Sequence, residues 1–245
     1  MKIVAEIPAR AGSKRVKNKN LRPMCGRPLI YYAIAAAKAS KTINEIYVNT
    51  EDDLIGQVAI DNHVKYYKRN PKLADDTAKS DEFNYDFMKN VEADIVVMVN
   101  PVAPLVTAED IDQMVDYFLK NELDTLIPVR EIKLHAFCPE GKNDSGLTTF
   151  AKSIKEVKPI NFDPEGPLPL TQNIPGVLVC IWTVCIWRVS SFMKAFEEKG
   201  SAIFSGKLEF FPQDPFKAVK ISTEEDFALA ELILQNRQGG IHGKI

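Results

Sequence analysis

The chain reads as an α/β protein with a doubly wound, mainly parallel sheet, and three observations predict it. Apolar runs of strand length alternate with stretches of helical periodicity as far as about residue 129, the pattern of strands joined by crossover helices. The run Ile95-Val96-Val97-Met98-Val99 has no polar interruption, as a strand covered on both faces requires. The first apolar run breaks at Pro8 into a loop rich in lysine and arginine, and the carboxyl end of a first strand is where open α/β sheets hold ligands.

The strand-like runs are residues 2–7, 45–49, 64–67, 94–99 and 125–129. The helical patterns are residues 29–39, 53–62, 80–90 and 108–120. Thr107 stands just ahead of Glu109 and Asp110, an N-cap followed by first-turn acids that favour the positive end of the helix dipole. Between about residues 130 and 175 proline, glycine, asparagine and aspartate become frequent and no periodic element is visible. An irregular segment of that length in a compact protein usually carries a function. After it, residues 176–188 form an apolar run with Trp182 and Trp187, residues 192–198 read as helical, and residues 222–236 as a closing helix. Ser222-Thr223-Glu224-Glu225 fits a capping box there, and residues 238–245 read as a frayed tail. The expectation is a single domain over residues 1–245 with an inserted irregular region over residues 130–175.

Composition limits the partners. At 245 residues the chain is long enough for one sizeable α/β domain or two small ones. Its net charge of −2 makes the basic opening a local feature, so nucleic acid and membrane surfaces are not expected partners. Lys2 is followed by a strand-length run, not by the apolar core of a signal peptide. No apolar stretch reaches the roughly 18 residues of a membrane span. Cys25, Cys138, Cys180 and Cys185 show no C-x-x-C spacing and the three histidines are scattered, which argues against a structural zinc. A cytoplasmic location with reduced thiols is expected.

The opening stretch carries the chemistry. From Arg10 to Arg27 it holds Arg10, Lys14, Arg15, Lys17, Lys19, Arg22 and Arg27 with no carboxylate among them. Small residues let loop amides approach an anion, and lysine and arginine neutralise what the amides leave. The glycines fit neither G-x-G-x-x-G nor G-x-x-x-x-G-K-[ST], so a dehydrogenase and a P-loop enzyme are both disfavoured.

Three pieces in series, Ile7-Pro8-Ala9-Arg10-Ala11-Gly12-Ser13-Lys14, Lys19-Asn20-Leu21 and Gly26-Arg27-Pro28-Leu29-Ile30, resemble the signature of the acylneuraminate cytidylyltransferases, which make CMP-activated sialic and related nonulosonic acids from CTP. The chain looks like a divergent member. Arg69 to Ser80 resembles the same family's R-x-x-x-L-A-x-D-x-A-x-S segment, with Leu73, Ala74, Asp76, Ala78 and Ser80 in step. The resemblance implies a nucleotidyltransferase-like Rossmann-type fold. It implies nucleotide contacts from Arg10, Ala11, Gly12, Ser13, Lys14, Lys19, Asn20, Arg69, Ala78 and Ser80. Arg10 and Lys19 would act on the triphosphate, Asn100 and Gln172 on the acceptor, and residues 130–175 would mediate a homodimer.

The departures are as informative. Where the family has Q-P-T-S-P-L-R, this chain has Asn100-Pro101-Val102-Ala103-Pro104-Leu105-Val106, and Thr171-Gln172-Asn173-Ile174-Pro175 keeps the glutamine of R-x-Q-D-L-P without its arginine. The family's D-I-D-T-E, whose aspartates hold magnesium, reads Lys220-Ile221-Ser222-Thr223-Glu224. A lysine cannot ligate Mg2+, so magnesium is expected to arrive with CTP, and Lys220 becomes a candidate catalytic cation. The expected reaction is transfer of CMP from CTP to a small anionic acceptor, an acidic nonulosonate-like sugar, with release of pyrophosphate. A phosphate or phosphonate acceptor is the nearest alternative, and a nucleotide-binding homologue without catalysis is another. A nucleic-acid module would rest on the basic loop alone, which lacks interleaved aromatics.

Overall fold

The structure is a computed structural model and describes residues 1–13, 15–139 and 157–238. The chain divides into two compact units, Met1–Pro128 with Ile181–Ile245, and Val129–Cys180. In chain order the elements are β1 (Ile3–Pro8), β2 (Pro23–Met24), β3 (Arg27–Pro28), α1 (Ile30–Ala39), β4 (Glu45–Thr50), α2 (Asp53–Asp61), β5 (Lys65–Lys68), α3 (Ser80–Asn90), β6 (Ile95–Val99), α4 (Ala108–Lys120) and β7 (Thr125–Ile132). There follow β8 (Phe137–Pro139), β9 (Val157–Pro159), β10 (Val177–Cys180), β11 (Val184–Arg188), α5 (Val189–Lys199), β12 (Leu208–Pro212) and α6 (Glu224–Gln238).

In the larger unit the strand order is β7-β11-β6-β1-β4-β5, with β12 also paired to β7. β6, β1, β4 and β5 run parallel, and β11 is antiparallel to β6 and β7. The chain builds outward from β1 through β4 to β5. It then returns through α3 to lay β6 on the other side of β1. The order therefore reverses between β1 and β6, and the crevice at their carboxyl ends is where such a sheet holds its ligand.

The period of two along β1 sets the two faces. Ile3, Ala5 and Ile7 join Ile34, Val48, Val97 and Ile111 in the main core. Glu6 points to the opposite face with its register partner Tyr47, and Phe87 of α3 packs on Tyr47 and Tyr67 there. α1 packs with α4, and α3 with α5. A second core joins Val16, Met24, Leu29, Leu105, Ile221 and Phe227. It ties the opening loop to α6.

Local chemistry explains the boundaries. Thr107 and Asp110 form a reciprocal capping box at the start of α4. The box of α6 lies one residue later than the sequence suggested. Asp226 accepts from Ser222 N (2.8 Å) and Thr223 N (2.9 Å), and Asp226 N donates to Thr223 Oγ1. Between β2 and β3, Cys25 and Gly26 both take positive φ, as a two-residue hairpin turn of that hand requires. The apolar run 176–188 is two strands, interrupted at Trp182, whose φ is 54°. Ile181 N donates to Pro128 O at 3.1 Å. Among the described residues no helix is long and apolar enough to cross a membrane.

In the smaller unit β8 pairs with β9, and β10 pairs with the end of β7, Val177 opposite Ile132 and Cys180 opposite Val129. Asn161 knits it by donating to Leu134 O and Pro175 O and accepting from Ala136 N. Leu134, Leu168, Leu170 and Leu178 are exposed in it.

Candidate active site

The switch point is built by two loops. One follows β1: Ala9 N donates to Asn49 O, Ala11 N to Glu51 Oε1, and the buried Asn20 donates through Nδ2 to Arg10 O at 3.0 Å. The other follows β6: Asn100 donates through Nδ2 to Trp182 O at 2.8 Å and receives Val102 N on Oδ1. Between them lies a cleft of about 190 Å³ lined by Arg10, Ser13, Arg15, Lys19, Asn20 and Asn100 among others. A larger hollow of about 1130 Å³, which shares Arg10 and Asn100 with it, extends past Arg69, Ala78, Ser80 and Lys220 toward Trp182 and Phe204. These two rings meet edge to face at 5.8 Å.

The electrostatics are lopsided. Lys19 donates through Nζ to Ile221 O at 2.9 Å. Burial, and then the charges of Arg15, Lys220 and Arg10, push its pKa down to about 8. Lys220 is also pushed down, first by burial. Arg10 has partners on the facing loop, Asp75 O and Asp76 Oδ1, each at 3.1 Å. Cations that lower one another's proton affinity favour an anion in the space between them.

Arg69 is almost wholly buried, donating through Nε to Asn49 Oδ1 at 2.9 Å and through Nη2 to Asn49 O at 2.8 Å, with Phe83 beneath it at 4.5 Å. Behind Asn49 stands Glu6, fully buried, which accepts from Asn49 Nδ2 on Oε1 while its Oε2 finds no partner. Ala78 N donates to Asp75 Oδ1, shaping the turn that leads into Ser80 at the start of α3. Asn20 Oδ1 is buried without a partner.

The structure thus gathers Arg10, Ser13, Lys19, Asn20 and Asn100 around one cleft, and Arg10, Arg69, Ala78, Ser80, Asn100 and Lys220 around the adjoining one. Ala11 and Gly12 lie in the same opening loop. Lys14 falls outside the described residues. Gln172 belongs to the smaller unit, exposed in the turn Thr171–Asn173. Sequence reasoning did not single out Arg15, Trp182, Phe204 or Glu6 for the site. Arg15 was visible as part of the basic run, and Glu6 as a lone acid inside an apolar strand. Nothing in the sequence marked Trp182 and Phe204. Val102, Ala103 and Val106, which replace polar groups of the resembled signature, are buried apolar residues.

The donor set does not suit a magnesium ion caged by the protein. Among the described residues no three His, Cys, Asp or Glu side chains stand together as a metal site. Lys220 lines the hollow. Asp226 is taken up capping α6, and Asp81 accepts from Ala202 N and Ile203 N.

Comparison with known proteins decides the family: the cytidylyltransferase family matches residues 4–138. This chain belongs to the cytidylyltransferase family. The resemblance to the acylneuraminate cytidylyltransferases holds at low identity, as for a divergent member. An N-acylneuraminate cytidylyltransferase of Streptococcus agalactiae is 28% identical over 138 residues, covering 55% of this chain and 33% of that protein. The match therefore spans about a third of that relative's length. The post-translational flagellin modification protein B of Campylobacter coli is 25% identical over 242 residues, 96% of each chain. Among solved structures, CMP:2-keto-3-deoxy-manno-octonic acid synthetase complexed with CTP superposes with a TM-score of 0.66 at 16% identity, covering 97% of this chain and 100% of that one. At that identity the likeness speaks for the α/β fold, which it bears out.

Proposed function

We propose that this cytidylyltransferase-family chain is an enzyme that binds CTP at the switch point and transfers CMP to a small anionic acceptor, releasing pyrophosphate. The observation that carries this reading is the convergence of Arg10, Arg15, Lys19 and Lys220 on two adjoining hollows, where burial, and then the charges of Arg15, Lys220 and Arg10, depress the proton affinity of Lys19. Nucleotidyl transfer asks little covalent chemistry of a protein. It asks that the triphosphate be held, the acceptor oxygen be aligned with the α-phosphorus, and the charge on the leaving pyrophosphate be balanced. Arg10 and Lys19 are assigned to the triphosphate, with Lys220 adding fixed positive charge. Arg69, Ala78 and Ser80 are assigned to the nucleoside. Magnesium, in this reading, comes with the nucleotide.

The acceptor is an acidic sugar of the nonulosonate kind. The name of the streptococcal relative and the signature in the opening loop support this choice. The apolar Val102, Ala103 and Val106 argue for an acceptor other than a common sialic acid. The test is pyrophosphate release from CTP with a panel of 2-keto sugar acids, sugar phosphates and phosphonates. Release with a sugar acid other than N-acetylneuraminate supports the reading; release only with a phosphate or phosphonate moves the acceptor class. Tight CTP binding without release under any condition would leave a nucleotide-binding homologue, the reading kept open by Lys220 and Ser222 standing where the resembled signature has aspartates.

A further inference from the structure

We infer that Glu6 is a positioning residue for the nucleotide site: through the Asn49 carboxamide it orients the Arg69 guanidinium and tunes the charge that Arg69 presents to the hollow. The inference rests on the reading of that hollow as a nucleotide site.

The geometry is a buried relay of three side chains from three neighbouring segments. Glu6 comes from β1, Asn49 from β4, and Arg69 from the residue after β5. Asn49 is fully buried and both ends of its carboxamide are used. Nδ2 donates to Glu6 Oε1 at 2.5 Å, and Oδ1 receives Arg69 Nε at 2.9 Å. The acid and the guanidinium thus bracket one amide, and the amide cannot flip without losing both bonds. Arg69 is the one of the three that lines the hollow. The relay therefore runs from the middle of the sheet to the ligand space.

A carboxyl group at this place needs a reason. β1 is otherwise apolar from Ile3 to Ile7, and burying a charge without full pairing is costly. Glu6 is half satisfied: Oε1 has Asn49, and Oε2 has no partner. The charged groups that bear on it are Arg69, which favours its anion, and Asp86 of α3, which opposes it. Asp86 accepts from Tyr67 of β5 at 2.7 Å. Around Arg69 stand Glu6, Glu51, Asp86 and Arg10. Burial outweighs the helpful contacts, and the Glu6 carboxyl is held up to about 7. Near neutrality it therefore changes charge. Anionic Glu6 offsets the positive charge of Arg69; neutral Glu6 leaves that charge to the ligand. Protonation and binding of an anionic nucleotide favour one another, and by linkage the nucleotide must raise the proton affinity of Glu6.

The test uses the full chain and CTP. Calorimetric affinities of parent and Glu6→Gln are compared between about pH 6 and pH 8, and their ratio cancels the titration of the ligand itself. The expected ratio is near one at the acid end and roughly fivefold in favour of Glu6→Gln at the alkaline end. In parallel, carbon-13 NMR of the glutamate carboxyls in the unmutated protein follows Glu6 with and without saturating CTP, so an unstable variant does not leave the matter open. An upward displacement of the Glu6 midpoint by CTP supports the relay. A flat affinity ratio, or a Glu6 midpoint indifferent to CTP, overturns it. Absence of CTP binding in the parent would overturn the nucleotide reading and this inference together, whereas binding with a flat ratio overturns this inference alone.

Discussion

Lys19 is a cation held among cations, and that has a measurable consequence. Its ammonium is pushed down to about 8 by burial and by Arg15, Lys220 and Arg10. A bound triphosphate reverses the sign of its surroundings and must raise that value. Binding should then take up a proton at alkaline pH, and CTP affinity should fall as pH rises through about 8, where free Lys19 loses its charge. Calorimetry in two buffers of different ionisation heat measures the uptake; equal apparent heats at about pH 8.5 would refute it. Lys19→Met should fold at least as stably as the parent, since a repelled charge is gone. It should lose about 1.5–3 kcal/mol of CTP binding, the worth of a charge-assisted contact. Lys220→Ala should lower turnover more than CTP affinity if its charge acts on the transition state; an unchanged turnover removes Lys220 from the machinery. Arg10, Lys19 and Asn20 were legible because their spacing is a motif within one loop. Glu6 gained a role only once β4 and the end of β5 were laid beside β1, since no local pattern relates residues 6, 49 and 69.

At the scale of elements, the loop between α5 and β12 holds a glycine with little tolerance for a side chain. Gly206 has φ of +67°, and a Cβ there would lie 2.4 Å from Asp124 Cβ. Asp124 is committed: it accepts from Lys207 N and Ser191 Oγ and stands 3.5 Å from Arg188 Nε. Gly206→Ala should cost about 1–3 kcal/mol of stability from the backbone alone, plus the displacement of Asp124. Urea unfolding tests this, and a variant within about 0.5 kcal/mol of the parent would contradict it. The helices α3 and α4 fall where periodicity, and for α4 the Thr107 cap, placed them, because such cues are local. β12 escaped notice because Leu208-Glu209-Phe210-Phe211-Pro212 is short and mixed. The run through Trp182 read as one stretch because composition does not reveal a left-handed residue.

At the scale of the molecule, the alternation of strands and helices disclosed a parallel α/β sheet. It could not disclose that β11 runs antiparallel between β6 and β7, for direction is a long-range property. The smaller unit exposes Leu134, Leu168 and Leu170, and β10 adds Leu178 and Val179. Apolar side chains concentrated on one small unit suit a partner surface, and a homodimer through this unit is the expectation. Light scattering at micromolar concentration should give twice the mass of 27.5 kDa. A chain with Leu168, Leu170 and Leu178 changed to serine should give one. A monomeric parent would end that expectation.

The hydrogen bond from Ile181 N to Pro128 O reaches further than its 3.1 Å suggests. The chain leaves the larger unit and re-enters it at points that already touch, and the flanking strands β7 and β11 are antiparallel. Two such strands need only a tight turn between them. The segment from Val129 to Cys180 therefore leaves and rejoins the larger unit at two adjacent points of the chain. Segments of other lengths and chemistries fit between those two points without shifting the register of β7 against β11. Substitutions between Val129 and Cys180 and substitutions in the loops around the crevice can then accumulate independently, because the two stretches join only at that pair of adjacent points in the covalent chain.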